Sequence, residues 1–235
     1  MRSCLIQLVL LFAMVFCLLW FGLPFGVSAL ATGALNASGF SGTDTKVEVS
    51  ANPPPTLLTG HADAVRITSS QTSMGDLHAA EVDVLLTDVE LISRNIGTVS
   101  GTLTGVRVAA PDGEPVSIDQ VTLAGDANAS NATASMSLAA AQSLAESELK
   151  AQTKIVAKIA LQSPDKVTIT VNGKSQTGRL VTSNGSLLIV PDGNKLPTVT
   201  LIAPGSGNPF HVSTVEIGAT DVTFVGTIDV EKLLN

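Results

Sequence analysis

Three histidines, His61, His78 and His211, are the first residues that could carry chemistry. In His61-Ala62-Asp63 an imidazole and a carboxylate share one face of an extended strand, as a metal-binding pair would. Two ligands leave the usual tetrahedral set incomplete, so no metal site is expected there. Serine is frequent, yet no Gly-x-Ser-x-Gly stretch occurs and no serine stands beside a base in sequence. Gly205-Ser206-Gly207 runs into Asn208-Pro209 rather than a helix, so it reads as a loop and not a phosphate cradle. Asp83, Asp88 and Glu90 lie in alternating stretches and fit a solvated strand face. As a glycosidase pair they would want a stacking cleft, and the chain beyond residue 29 has no Trp or Tyr. Asn128-Ala-Ser and Asn131-Ala-Thr match the glycosylation pattern. The expectation is a protein with no catalytic residues, no metal and no cofactor.

The composition of the 235 residues narrows the partners. Both cysteines (Cys4, Cys17), the single Trp20 and four of seven phenylalanines fall in residues 1–29. Arg2 is the only charge there, so the remainder carries twelve basic and twenty acidic residues, a balance near −8. Clustered cations and aromatic platforms are both missing, which argues against nucleic acid. Without cysteine beyond the leader, neither disulfides nor thiolate metal sites hold this chain together, and stability must come from core burial.

Arg2 precedes an apolar run from Cys4 to Leu23 broken only by Gln7, about 20 residues and enough to span a bilayer. Pro24 and Val27-Ser28-Ala29 resemble a cleavage region, so residues 1–29 read as either a signal peptide or a retained anchor. Both place the rest of the chain outside the cytoplasm. Residues 30–44 are small and polar and read as a linker. From residue 45 the period becomes two: Lys46–Ser50, Ala64–Thr68, Val82/Val84/Leu86, Thr98–Ala109, Val116–Leu123 and the stretches after residue 166 alternate as strands. The phase changes between Leu86 and Val89, which predicts a bulge. Asn172-Gly173 and Asn184-Gly185 are hairpin signals, and Pro111-Asp112-Gly113 is turn chemistry. One segment breaks the pattern. From Leu138 to Ile159 there is no Gly or Pro, and Leu138, Ala141, Ala145, Leu149, Val156 and Ile159 recur at helical spacing. This predicts one long helix with a Glu146–Lys150 pair and a basic row of Lys150, Lys154 and Lys158. The expected fold class is α+β, a curved and mostly antiparallel sheet of about ten strands around that helix, behind an N-terminal hydrophobic helix.

The order of segments resembles the LmeA-like phospholipid-binding domain of bacterial cell envelopes. The resemblance is carried by Pro54-Pro55-Thr56-Leu57-Leu58-Thr59-Gly60, by Ala64-Val65-Arg66-Ile67, by Glu81–Leu91, by the Ala132–Leu149 passage from strand into helix and by Ala219–Leu234. It covers residues 45–235 and implies a tubular, BPI-like lipid-binding fold, a phospholipid partner at a membrane and no catalysis. The lining it suggests is the helix stripe Leu138, Ala141, Ala145, Leu149, Val156 and Ile159 with the strand residues Val82, Val84, Leu86, Leu188 and Val190. The alternatives are an interaction protein of the same fold with a closed core, and an extracytoplasmic hydrolase. Leu57 and Leu58, after the prolines, are either a cap on the core or an exposed tip touching a membrane.

Overall fold

The computed structural model describes residues 28–29, 32–33, 40–74, 77–90, 92–93, 95–109, 115–193, 196–203 and 210–228. The apolar run Cys4–Leu23, linker residues 30–31 and 34–39, the Pro111-Asp112-Gly113 turn, the Gly205–Gly207 loop and the Val230–Leu234 tail lie outside the described residues. Six strands, β1 (Phe40–Ser50), β2 (His61–Met74), β3 (Leu77–Glu90), β4 (Asn95–Ala109), β5 (Pro115–Asp126) and β6 (Ser130–Ser137), form an antiparallel meander. The helix α1 (Leu138–Thr153) follows. A second meander comprises β7 (Lys158–Gln162), β8 (Lys166–Val171), β9 (Lys174–Ser183), β10 (Ser186–Pro191) and β11 (Val199–Ile202), and it curls into a half-barrel. The chain then returns to the first sheet through β12 (Phe210–Ile217) and β13 (Asp221–Ile228), with β13 pairing β6. Among the described residues the expected single sheet of about ten strands is thirteen strands in sheets of eight and five, every described pairing antiparallel.

Turn chemistry fixes the second meander. Asn172-Gly173 (φ 50° and 76°) and Asn184-Gly185 (φ 50° and 78°) close two-residue hairpins, because both positions need positive φ and Asn and Gly tolerate it best. The long first meander keeps its inner face apolar by another device. The change of phase after Leu86 falls at Asp88, whose φ is 54°, and the pairings on either side of it keep one register with both neighbours. It is a switch of pleat phase, not the inserted residue that a bulge would require. Gln71 (φ 49°) and Gly105 (φ 60°) mark a second switch, so Ala79 and Val82 are both buried although they are three residues apart.

The helix is shorter than its sequence stripe predicts. Ser137 caps its start, its hydroxyl accepting from Ala140 N at 3.2 Å. It stops after 16 residues because Lys154 turns left-handed (φ 62°), its N–H donating to Lys150 O at 2.9 Å. Thr153 Oγ1 donates to Leu149 O at 2.6 Å and closes the last turn. Beyond it Ala157, Ile159 and Leu161 are buried at a period of two, the last two within strand β7. Glu146 does not serve Lys150. Its carboxylate accepts from Ile159 N at 2.9 Å and lies 3.4 Å from Lys158 Nζ, tying the new strand back to the helix. Residues 40–44, expected as linker, already belong to β1, with Phe40 paired to Met74.

The main core joins Ala141, Ala145 and Leu149 of α1 to Ile159, Leu161, Val167, Ile169, Leu180, Leu187, Ile189 and Val199 of the half-barrel and to Met136, Val212, Ile217, Val222 and Phe224 of the large sheet. Leu149, Ile169 and Ile189 are fully buried within it.

Candidate functional site

The inner face of the large sheet can be followed across its strands in register. One row runs Val49, Val65, Leu86, Val99 and Gly125. The next runs Val47, Ile67, Val84, Gly101, Leu123 and Ala132. A third runs Ser69, Val82, Leu103, Val121, Ala134 and Phe224. Ala134 and Phe224, at the end of the third row, already belong to the core beneath α1 and the half-barrel. The same apolar face therefore has two fates. Over β6 and β13 it is sealed by the helix and the second sheet. Over β2–β5 Ile67, Val84, Leu86, Leu103, Val121 and Leu123 are only half-buried, while Val65, Val82 and Val99 of the same face are buried.

Each strand here is 12–15 residues long, and its other face carries Arg66, Thr68, Asp83, Ser100, Thr102 and Thr122. The alternation is that of a sheet with one apolar face and one wet face. Gly101 sits in the middle of the second row because nothing larger fits. A Cβ there would collide with the Asp83 carbonyl oxygen and lie 2.8 Å from Val84 Cα. The result is an aliphatic trough about 14 Å across from β2 to β5 at about 4.8 Å per strand, with the β3 backbone filling the space beside Gly101.

The residues expected to line a site divide between trough, core and surface. Val82, Val84 and Leu86 lie on the trough face. Ala141, Ala145, Leu149 and Ile159 are sealed in the main core, with Leu138 packed at its margin. Val156 is 73% exposed, because it follows the left-handed turn and lies outside the helix. Leu188 and Val190 occupy the face of β10 opposite the buried Leu187 and Ile189, and in a period-two strand a one-residue misreading inverts the face. Ile67, Leu103, Val121 and Leu123, not singled out in the sequence, share the trough face with Val84 and Leu86. Their alternation was visible, but the row they form exists only once the strands are paired in register.

The polar constellations are separate from the trough rows. His61 Nδ1 lies 2.9 Å from Glu90 Oε1 and 3.9 Å from Asp88 Oδ1, and Nε2 lies 3.3 Å from Asp63 Oδ1. The Glu90 hydrogen bond raises the His61 pKa above the ordinary 6.5, partial desolvation opposes it, and Asp63 adds to the rise. Despite three carboxylates, no cluster suited to a metal ion occurs among the described residues. On the wet face Arg66 grips Asp83 with two hydrogen bonds of 3.0 and 2.8 Å, which holds the Asp83 carboxyl below its usual range. His78, Arg107, Ser117 and Asp119 line a concavity of about 690 Å³ at the second phase switch, and His211 lines another of about 640 Å³ beside Ser183 and Asn184.

Comparison with known protein families, with curated proteins and with solved structures finds no match to this chain.

Proposed function

We propose that this protein is an extracytoplasmic envelope protein that binds phospholipid acyl chains non-covalently and without turnover, on the aliphatic trough of β2–β5. The observation that carries the reading is the continuation of the core face, in register, beyond the elements that cover it. An acyl chain laid on such a face gains about 0.8 kcal/mol per buried methylene and asks for no catalytic group. The resemblance of Pro54–Gly60, Glu81–Leu91 and Ala219–Leu234 to the LmeA-like domain, and through it to tubular lipid-binding folds, supports the same reading. The lining is Val82, Val84 and Leu86 with Ile67, Leu103, Val121 and Leu123, in place of the helix stripe.

The second reading is an interaction protein with a closed core. It is favoured by one observation, that Ala141, Ala145, Leu149 and Ile159 are filled in against the half-barrel. Mass spectrometry of lipids extracted from the purified full chain separates the two. Phospholipid should accompany the parent protein and be lost from Val84→Asp, whose carboxylate would stand in the trough. A folded parent that takes up no phospholipid at micromolar concentration would leave the interaction protein as the better account.

A further inference from the structure

The end of the large sheet where β1 turns into β2 and β3 into β4 carries two large aliphatic side chains in solvent. Leu58, in the 3₁₀ turn Pro54–Thr59, is 64% exposed, and Ile92, in the β3–β4 turn, is 79% exposed. They belong to one tip. Gly60 ends the 3₁₀ turn left-handed (φ 85°), and the space a side chain would take there is filled by Ile92, whose Cγ1 lies 2.6 Å from the position of a Cβ. Leu57, the neighbour of Leu58, is buried with Val49, Val65 and Val89, so the exposed pair stands on a packed base with Leu86 of the trough at its margin.

The chain before the sheet indicates what this tip faces. Ser28 is held at the same end, its Oγ accepting from Val49 N at 3.0 Å. Val49 pairs Val65, four residues along β2 from His61 at the tip, or about 13 Å. The apolar run ends at Leu23, and residues 24–27 reach at most about 14 Å when extended. If that run spans a bilayer, the bilayer surface lies within reach of Leu58 and Ile92.

We infer that the Leu58–Ile92 tip docks in the interface of a lipid bilayer and sets the trough upright on the membrane with its Leu86 end nearest the lipid. The inference rests on the lipid-binding reading for its purpose, but the contact itself is tested separately. The carboxylates of Asp63, Asp88 and Glu90 stand just behind the tip, so zwitterionic lipid suits it better than anionic lipid.

The experiment uses the full chain with Cys4→Ser and Cys17→Ser, reconstituted in phosphatidylcholine vesicles. Single cysteines at Leu58→Cys, Ile92→Cys and, on the β8–β9 hairpin, Lys174→Cys carry a polarity-sensitive fluorophore. The expected result is a blue shift at positions 58 and 92, quenched by spin-labelled acyl chains, with no shift at 174. The shift should shrink when phosphatidylglycerol replaces phosphatidylcholine at low salt. A water-like spectrum at 58 and 92, or an equal shift at 174, overturns the docking. Embedding of the tip in a protein that carries no extractable phospholipid supports the docking and tells against the proposed function alone.

Discussion

His61 shows how a single side chain becomes a pH-dependent contact. Its hydrogen bond to Glu90 and its approach to Asp63 favour the imidazolium in the folded state, so the folded pKa lies above 6.5. The stabilisation is complete below the unfolded value and is lost as pH rises through the folded one. An NMR titration should place the His61 midpoint above 6.5, and Glu90→Gln should bring it down. An unchanged midpoint in that variant would mean Glu90 is not the partner. In the trough, Val84 is half-exposed while Leu149 is fully buried, and their variants should part company. Val84→Asp should weaken phospholipid capture with a modest change in melting. Leu149→Ala should cost about 2–5 kcal/mol, through lost burial and the cavity left behind, and leave lipid capture by the folded fraction intact. Denaturant unfolding set beside lipid extraction reads both effects.

At the scale of the element, α1 ends where its own backbone reverses. Lys154 leaves the helical region, and the carboxylate of Glu146 then receives the N–H of Ile159. Glu146→Ala should therefore loosen β7 more than the helix, a difference that amide exchange reads as faster exchange at Ile159 than at Leu149. Equal protection at both amides would contradict that role. At the other end, Ser137→Ala removes the cap to Ala140 N and should cost about 1 kcal/mol in chemical denaturation.

For the whole molecule, the two fates of one sheet face predict how binding responds to solution conditions. Apolar burial is not screened by salt, whereas contacts to charge are. Phospholipid capture by the trough should rise with acyl-chain length and change little between low and physiological salt. A steep salt dependence with no dependence on chain length would assign the binding to charged groups instead. The basic row of Lys150, Lys154 and Lys158 is no counter-argument. Lys150 lies on the helix, Lys154 in its left-handed end and Lys158 in β7 beside Glu146, so the row the sequence suggested does not form on one helix face.

The sequence by itself determined the local rules. Period-two alternation marked the strands, Asn172-Gly173 and Asn184-Gly185 marked their hairpins, and the Gly-free stretch after Ser137 marked the helix. Each of these depends on neighbours a few residues apart. The helix end was misread because Val156 and Ile159 continue the 3.6-residue stripe by coincidence, while Ala157, Ile159 and Leu161 equally fit a strand. Nothing local separates the two readings until β8 pairs with Lys158–Gln162. The face of Leu188 and Val190 was misread for the same reason, since alternation gives two faces and only packing in the main core chooses Leu187 and Ile189. The trough is more strictly tertiary. Ile67, Val84, Gly101 and Leu123 lie far apart along the chain and become one row only through the register of four strands. Whether such a row is core or open surface depends on where a later helix and a second sheet come to rest.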